Sequence, residues 1–235
     1  VGRSVLDSSP ARDKLEADFF TRLWFPNGTA KTTYAKRLDD VNEWFAGFLP
    51  ADRTVHLMDV AVSTGITTLD WMDSLDRAGR RFQLVAGDAY LRAFWISVGD
   101  VFGCLADPAG EPLYFDLFGR GFPAALRTRE IKRHERAILN AWYRLLLKLH
   151  PGLLAAVGAG GEYRQGRVQA VPCRLASARF LARLGGNLEL AEDDLLHSPA
   201  PAPWRAQCDG IRAANLLNRY YFQDAELIAM LRELG

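Results

Sequence analysis

The sequence has little that would staple a fold or span a membrane. Cys104, Cys173 and Cys208 are its only three cysteines, widely separated and without a CxxC pair. That pattern supplies no disulfide framework and no zinc knuckle; it predicts free thiols in a reducing compartment, hence a cytoplasmic location. The four histidines, His56, His134, His150 and His197, share no metal-ligand spacing, so no metal is expected, and His56, inside an apolar run, reads as a core histidine. No apolar stretch approaches the ~20 residues of a membrane helix, and no signal peptide is visible. An excess of one charge is missing too. Lys and Arg total 29 against 28 Asp and Glu, a net +1, which argues against nucleic acid as the general partner.

What the chain does have is apolar substance. Of 235 residues, 49% are hydrophobic, enough for one medium domain with a sizeable core. Residues 1–50 read as an N-terminal helical cap, with amphipathic helices over 13–25 and 32–48 joined by the turn Phe25-Pro26-Asn27-Gly28. Residues 51–235 then alternate short apolar strands with helices. Strands are predicted at 55–60, 82–87, 167–172, 187–191 and 208–213, and helices at 65–78, 176–184 and 223–234. Such alternation predicts an α/β fold, a Rossmann-like, doubly wound and mostly parallel sheet covered on both faces.

The expected insertion occupies 98–150, on the substrate side. Segments 98–105 and 112–118 flank Asp107-Pro108-Ala109-Gly110 and read as a β-hairpin. A long helix over 124–149 follows, with Ile131, Ile138, Trp142, Leu145 and Leu149 on one face. Its other face carries Arg127, Arg129, Lys132, Arg133, Arg136, Arg144 and Lys148. Such a face is either solvated or recruits an acidic substrate, an anionic membrane surface or RNA. Residues 151–166, rich in Gly and Ala, are expected to form a mobile loop. Residues 198–203 are a Pro-rich loop, and the sheet is expected to continue with strands beyond the last helix.

The chemistry is concentrated around Val55-His56-Leu57-Met58-Asp59-Val60-Ala61-Val62-Ser63-Thr64-Gly65. An apolar strand ends in an acid and a turn of small residues that leads into a helix. That geometry offers a helix N-terminus and bare backbone amides to a ligand. Asp88 closes the next strand, where a carboxylate either accepts from the two hydroxyls of a ribose or caps the following turn. Asp193 and Asp194 follow the strand at 187–191. The segment Cys208-Asp209-Gly210-Ile211-Arg212-Ala213-Ala214-Asn215-Leu216-Leu217-Asn218 comes last, with Tyr220-Tyr221-Phe222 behind it.

Taken in order, these segments resemble class I S-adenosylmethionine-dependent methyltransferases, closest to the chemotaxis-receptor branch. The first motif of that family usually reads Asp/Glu-x-Gly-x-Gly-x-Gly. Here Ala61 and Ser63 stand for the first two glycines and Gly65 for the third, and Ser63-Thr64-Gly65 matches the Ser-Thr-Gly wording of the branch. Asp209, Ile211, Asn215 and Leu217 match its fourth-strand motif, whereas Ala213 and Ala214 replace Cys and Arg. The resemblance implies S-adenosylmethionine as cofactor, held by Asp59, Ala61, Ser63, Thr64, Gly65, Asp88, Asp193, Asp194 and Asn215. Asp193 or Asp194 would accept from the adenine amino group, unless both are solvated loop acids. Asn215 would orient a substrate or cap a turn.

Methyl transfer then demands mainly alignment of a nucleophile with the S–methyl bond. No base is singled out; His134, His150, His197, Tyr220 and Tyr221 qualify by residue type alone. Two readings follow, and a third, a nucleic-acid methyltransferase using the basic helix face, is disfavoured by the neutral net charge. One is a methyltransferase acting on a small-molecule or lipid-like acceptor, with peripheral membrane contact allowed. The other is a non-catalytic binding or scaffold protein of the same fold.

Overall fold

The computed structural model describes residues 13–25, 29–31, 33–124, 133–197, 207–214 and 216–234. In chain order its first elements are α1 (Asp13–Thr21), α2 (Asp39–Phe48), β1 (Val55–Val60), α3 (Ile66–Arg77) and β2 (Phe82–Asp88). Next come β3 (Arg92–Val98), β4 (Phe102–Ala106), β5 (Pro112–Leu117), β6 (Arg120–Pro123), α4 (Arg133–Leu149), α5 (Pro151–Gly158), β7 (Tyr163–Gln165) and β8 (Val168–Arg174). The last are α6 (Ala178–Ala182), β9 (Leu188–Glu192), β10 (Gly210–Ala213) and α7 (Asp224–Leu234). They form two compact units, one from residues 33–91 and 176–235, the other from residues 1–32 and 92–175. The boundary expected at residue 50 is therefore not where the units divide.

The first unit is built on a four-stranded parallel sheet in the order β10-β1-β2-β9. Side chains alternate across a strand, and both faces are used. On one, Val55, Leu57, Leu84 and Ala86 pack with Trp71, Met72 and Leu75 of α3 and Phe180 of α6. On the other, Met58 and Val60 meet Leu195, Met230 and the apolar side of α7. Burial on both faces explains why β1 and β2 read as nearly continuous apolar runs. His56 is a correction: it is exposed, because it alternates with the buried Val55 and Leu57 and so lies on the opposite face, where the buried core residues of β1 are Met58 and Val60.

The second unit is an antiparallel sheet in the order β6-β5-β4-β3-β8-β7. The expected hairpin exists as β4 paired with β5, but it is the middle of this larger sheet. The strand expected at 167–172 in the parallel sheet is β8, and it pairs antiparallel with β3 and β7. The missing ingredient is β3, whose apolar Ala93 to Ile96 supplies the partner that draws β8 away. Residues 151–158 are helical rather than loop: Pro151 sits in the first turn, where its lost N–H is harmless. Leu153 and Val157 of that helix are buried in the core formed by Phe94, Ile96, Phe115 and α4.

Helix α4 turns a different face inward from the one expected. Leu139, Tyr143 and Leu146 enter the core, and Arg136 is buried beside them in sequence. Ile138, Trp142, Leu145 and Leu149 remain exposed. Ile131, Arg127, Arg129 and Lys132 lie outside the described residues, as do residues 26–28 and the loop at 198–203. No helix among the described residues is long and apolar enough to cross a membrane.

Candidate functional site at the carboxyl ends of the parallel strands

Beyond Val60 the backbone enters the left-handed region three times: φ is +58° at Ala61, +61° at Ser63 and +81° at Gly65. For an L-residue with a Cβ this conformation costs roughly 1–2 kcal/mol, so neighbouring contacts must hold it. They are numerous. Val62 N–H donates to the Gly87 carbonyl at 3.1 Å, Gly65 N–H to the Val62 carbonyl at 2.9 Å, and Ser177 N–H to the Thr64 carbonyl at 2.8 Å. Ser63 N–H donates to Asp88 Oδ2 at 2.7 Å.

Asp88 is the organising acid. It ends β2, is buried, and accepts from Ser63 N–H through one oxygen and from Tyr90 N–H through the other, at 2.9 Å. Its own carbonyl accepts from Asp193 N–H at 3.2 Å. Asp193 is buried against Gly87; a Cβ added there would stand 3.0 Å from the Asp193 Cβ. Glycine at position 87 thus lets the second acid approach the sheet. The turn 61–65, Asp88 and Asp193 are brought together at the carboxyl ends of β1, β2 and β9.

Other expected site residues stand elsewhere. Asp59 faces inward beneath α3, not toward the strand ends. Its carboxylate takes Arg212 Nε at 2.9 Å, a second bond from an Arg212 terminal nitrogen, and the Thr68 hydroxyl at 2.7 Å. Arg212 also donates to Asn42 Oδ1 at 2.6 Å, and its guanidinium lies 4.5 Å from the centre of the Trp71 ring. Asp194 folds into a local turn, accepting from Leu196 N–H at 3.0 Å and pairing with His197 Nδ1 at 3.0 Å. Asn215 lies outside the described residues.

Gly65 has a packing reason to be glycine. A Cβ there would fall 2.2 Å from the ring of the fully buried Phe180. Helix α3 therefore starts at a residue pinned by α6, and α6 is in turn fixed to the loop through Ser177 N–H.

Sequence reasoning missed Arg212, Asn42, Thr68 and Phe180. For Arg212 a signal existed: an acid inside an apolar strand needs a buried cation, and Arg212 lies in a neighbouring strand of the same sheet; Asn42 and Thr68 carried none. Phe180 carried no signal, since nothing local marks which helix covers the turn.

Among the residues considered as bases, His134 is exposed and Tyr220 is 82% exposed. In the antiparallel unit His150 Nδ1 lies 3.1 Å from both Tyr163 OH and Gln165 Oε1. None is tied to the Asp88 cluster by a hydrogen bond described in the structure. No protein-family model, curated protein or solved structure matches this chain.

Proposed function

We propose that the first unit binds S-adenosylmethionine and that the protein transfers its methyl group to a small-molecule or lipid-like acceptor. The observation that carries this reading is the turn after β1. Ala61, Ser63 and Gly65 adopt left-handed φ at the three alternating positions where the methyltransferase motif has glycine. Left-handed backbone, which glycine adopts most easily, is present at all three positions although only one of them is glycine. A second support is the strand order: the chain runs β1-β2-β9 to one side and then returns to place β10 on the other. Ligands of doubly wound sheets bind outside the strand ends where the order reverses.

The residues fit the group in kind. Asp88 offers carboxylate oxygens at the end of β2 for sugar hydroxyls, and Gly87 leaves room for Asp193 to stand beside it as an acceptor for an amino group. The turn 61–65 would border the ligand with backbone rather than bulky side chains. When bound, S-adenosylmethionine supplies an electrophilic methyl. The chain's own task is then to hold an acceptor in line with it and exclude water. Asp59 belongs to this scheme as a support for β1, through Arg212, rather than as a ligand contact.

One observation favours the non-catalytic alternative. Both Asp88 oxygens already accept backbone N–H groups, so this carboxylate has a structural task even with no ligand.

Calorimetric titration with S-adenosylhomocysteine tests the reading. Micromolar binding is expected, weakened at least about tenfold in Asp88→Asn, where a charged hydrogen-bond acceptor of about 1.5–3 kcal/mol is lost. Absence of binding by a chain whose circular dichroism and melting are intact would overturn the cofactor assignment. Binding without turnover across acceptor classes would leave the scaffold reading.

A further inference from the structure

The surface of the antiparallel unit carries a feature that the cofactor reading does not use. Ile138, Trp142, Leu145 and Leu149 follow one another along α4 at helical spacing and are 60%, 55%, 50% and 67% exposed. At one end the stripe continues onto the sheet. Trp142 lies 6.3 Å ring to ring from Phe102, Phe102 adjoins the exposed Val101, and the Val101 carbonyl accepts from Phe118 N–H at 2.9 Å. Phe118 occupies a hairpin tip with left-handed φ of +52° and is 72% exposed. A large, mostly exposed apolar side chain is displayed there at a backbone cost.

One turn before the stripe stands the exposed Glu135; along the stripe itself the helix charges are basic. Arg144 and Lys148 are exposed between the apolar residues, and from 137 to 149 no exposed residue is acidic. Arg120 follows at the hairpin tip, with Asp100 exposed at the adjoining turn and the Asp116 carboxylate turned onto Gly119 N–H at 2.9 Å. Long basic stems lie along apolar surface and carry their charge outward, and Trp prefers the boundary between hydrocarbon and headgroups. An apolar stripe flanked along its length by Lys and Arg is the complement of an anionic bilayer. A protein interface core, by contrast, is depleted of charge.

From this charge complementarity we infer that α4 and the Phe118 hairpin dock on the surface of an anionic membrane, with Trp142, Leu145 and Phe118 inserted and Arg144, Lys148 and Arg120 against the headgroups. The inference stands without the cofactor assignment. It names a surface whose four apolar helix residues are at least half exposed.

Sedimentation of the whole chain with vesicles of phosphatidylcholine, alone or mixed with phosphatidylserine, tests it. Binding is expected to the mixed vesicles and to weaken with salt. Replacing Arg144 and Lys148 by Gln should cost about fivefold in partition per cation, and Leu145→Glu, at an exposed position, should abolish binding with melting unchanged. Emission of the wild type minus that of Trp142→Phe should shift to the blue on binding. No sedimentation with mixed vesicles overturns the proposal. So does binding that survives both sets of substitutions. Lipid-free self-association that Leu145→Glu abolishes, without vesicle binding, would assign the patch to a second copy instead.

Discussion

Arg212 of β10 grips both carboxylate oxygens of Asp59 of β1, in a buried pair that also takes the Thr68 hydroxyl and lies against Trp71. The two residues are register partners in the parallel sheet. The pair therefore locks the edge strand β10 to the centre of the sheet and, through Asn42 and Thr68, to α2 and α3. Asp59→Ala leaves an uncompensated guanidinium inside the protein. The expected loss is about 3–5 kcal/mol in urea unfolding; a loss below about 1 kcal/mol would mean that the pair is solvated in solution.

Ala61 and Ser63 are held in a conformation that glycine adopts freely. Ala61→Gly and Ser63→Gly should each raise stability by about 0.5–1 kcal/mol, the relief of left-handed strain less the added freedom of the unfolded chain. Denaturant midpoints at constant slope measure this. Destabilisation by both would show that the turn relaxes out of the left-handed region.

Gly65→Ala combines positive φ with a Cβ placed 2.2 Å from the Phe180 ring. The clash is with a rigid, buried side chain, so a loss above about 2 kcal/mol is expected. Part of that loss should disappear in a Phe180→Ala background, giving a coupling of about 0.5–3 kcal/mol in the double-mutant cycle. Full additivity would separate the two residues.

Asp209 gives a pH signature. Its hydrogen bond to the Arg53 guanidinium, and then the His56 N–H at 2.9 Å, hold its carboxyl down to about 2 from an ordinary 3.8. Folding favours the ionised form, so the contribution is complete above the ordinary value and is lost as pH falls through about 2. The stability gap between wild type and Asp209→Asn should be constant near neutrality and close in strong acid. A gap that widens on acidification would reverse the assignment.

Much of the parallel unit was legible because its strands are buried on both faces. Val55 to Val60 is apolar up to Asp59 and ends in small residues, so strand, turn and helix could be read within a residue or so. The partition into two sheets was not legible. Strand β8 reads the same whether its neighbour is parallel or antiparallel, and only β3, which escaped notice, decides. Helix α4 shows a second limit. It carries two apolar stripes, Ile138-Trp142-Leu145-Leu149 and Leu139-Tyr143-Leu146, and periodicity alone gives no preference between them. At the candidate site, Asp88 and the small-residue turn were visible in sequence. The internal fate of Asp59 was not, because its partner is 153 residues away.

The register of β3 and β8 has a consequence for how such a chain is assembled. Arg92 and Arg174 are paired at the ends of these strands, so the polypeptide leaves the parallel unit and rejoins it at adjacent points. Once that pair has formed, the long excursion confines the parallel unit no more than a tight loop would, and its closure entropy is borne by the antiparallel sheet alone. An excursion closed in this way can be lengthened or shortened at its turns with little entropic effect on the strand that carries Asp88, as happens at sites that tolerate insertion; residues 1–32, which belong to the same unit, are the part that its exchange would disturb.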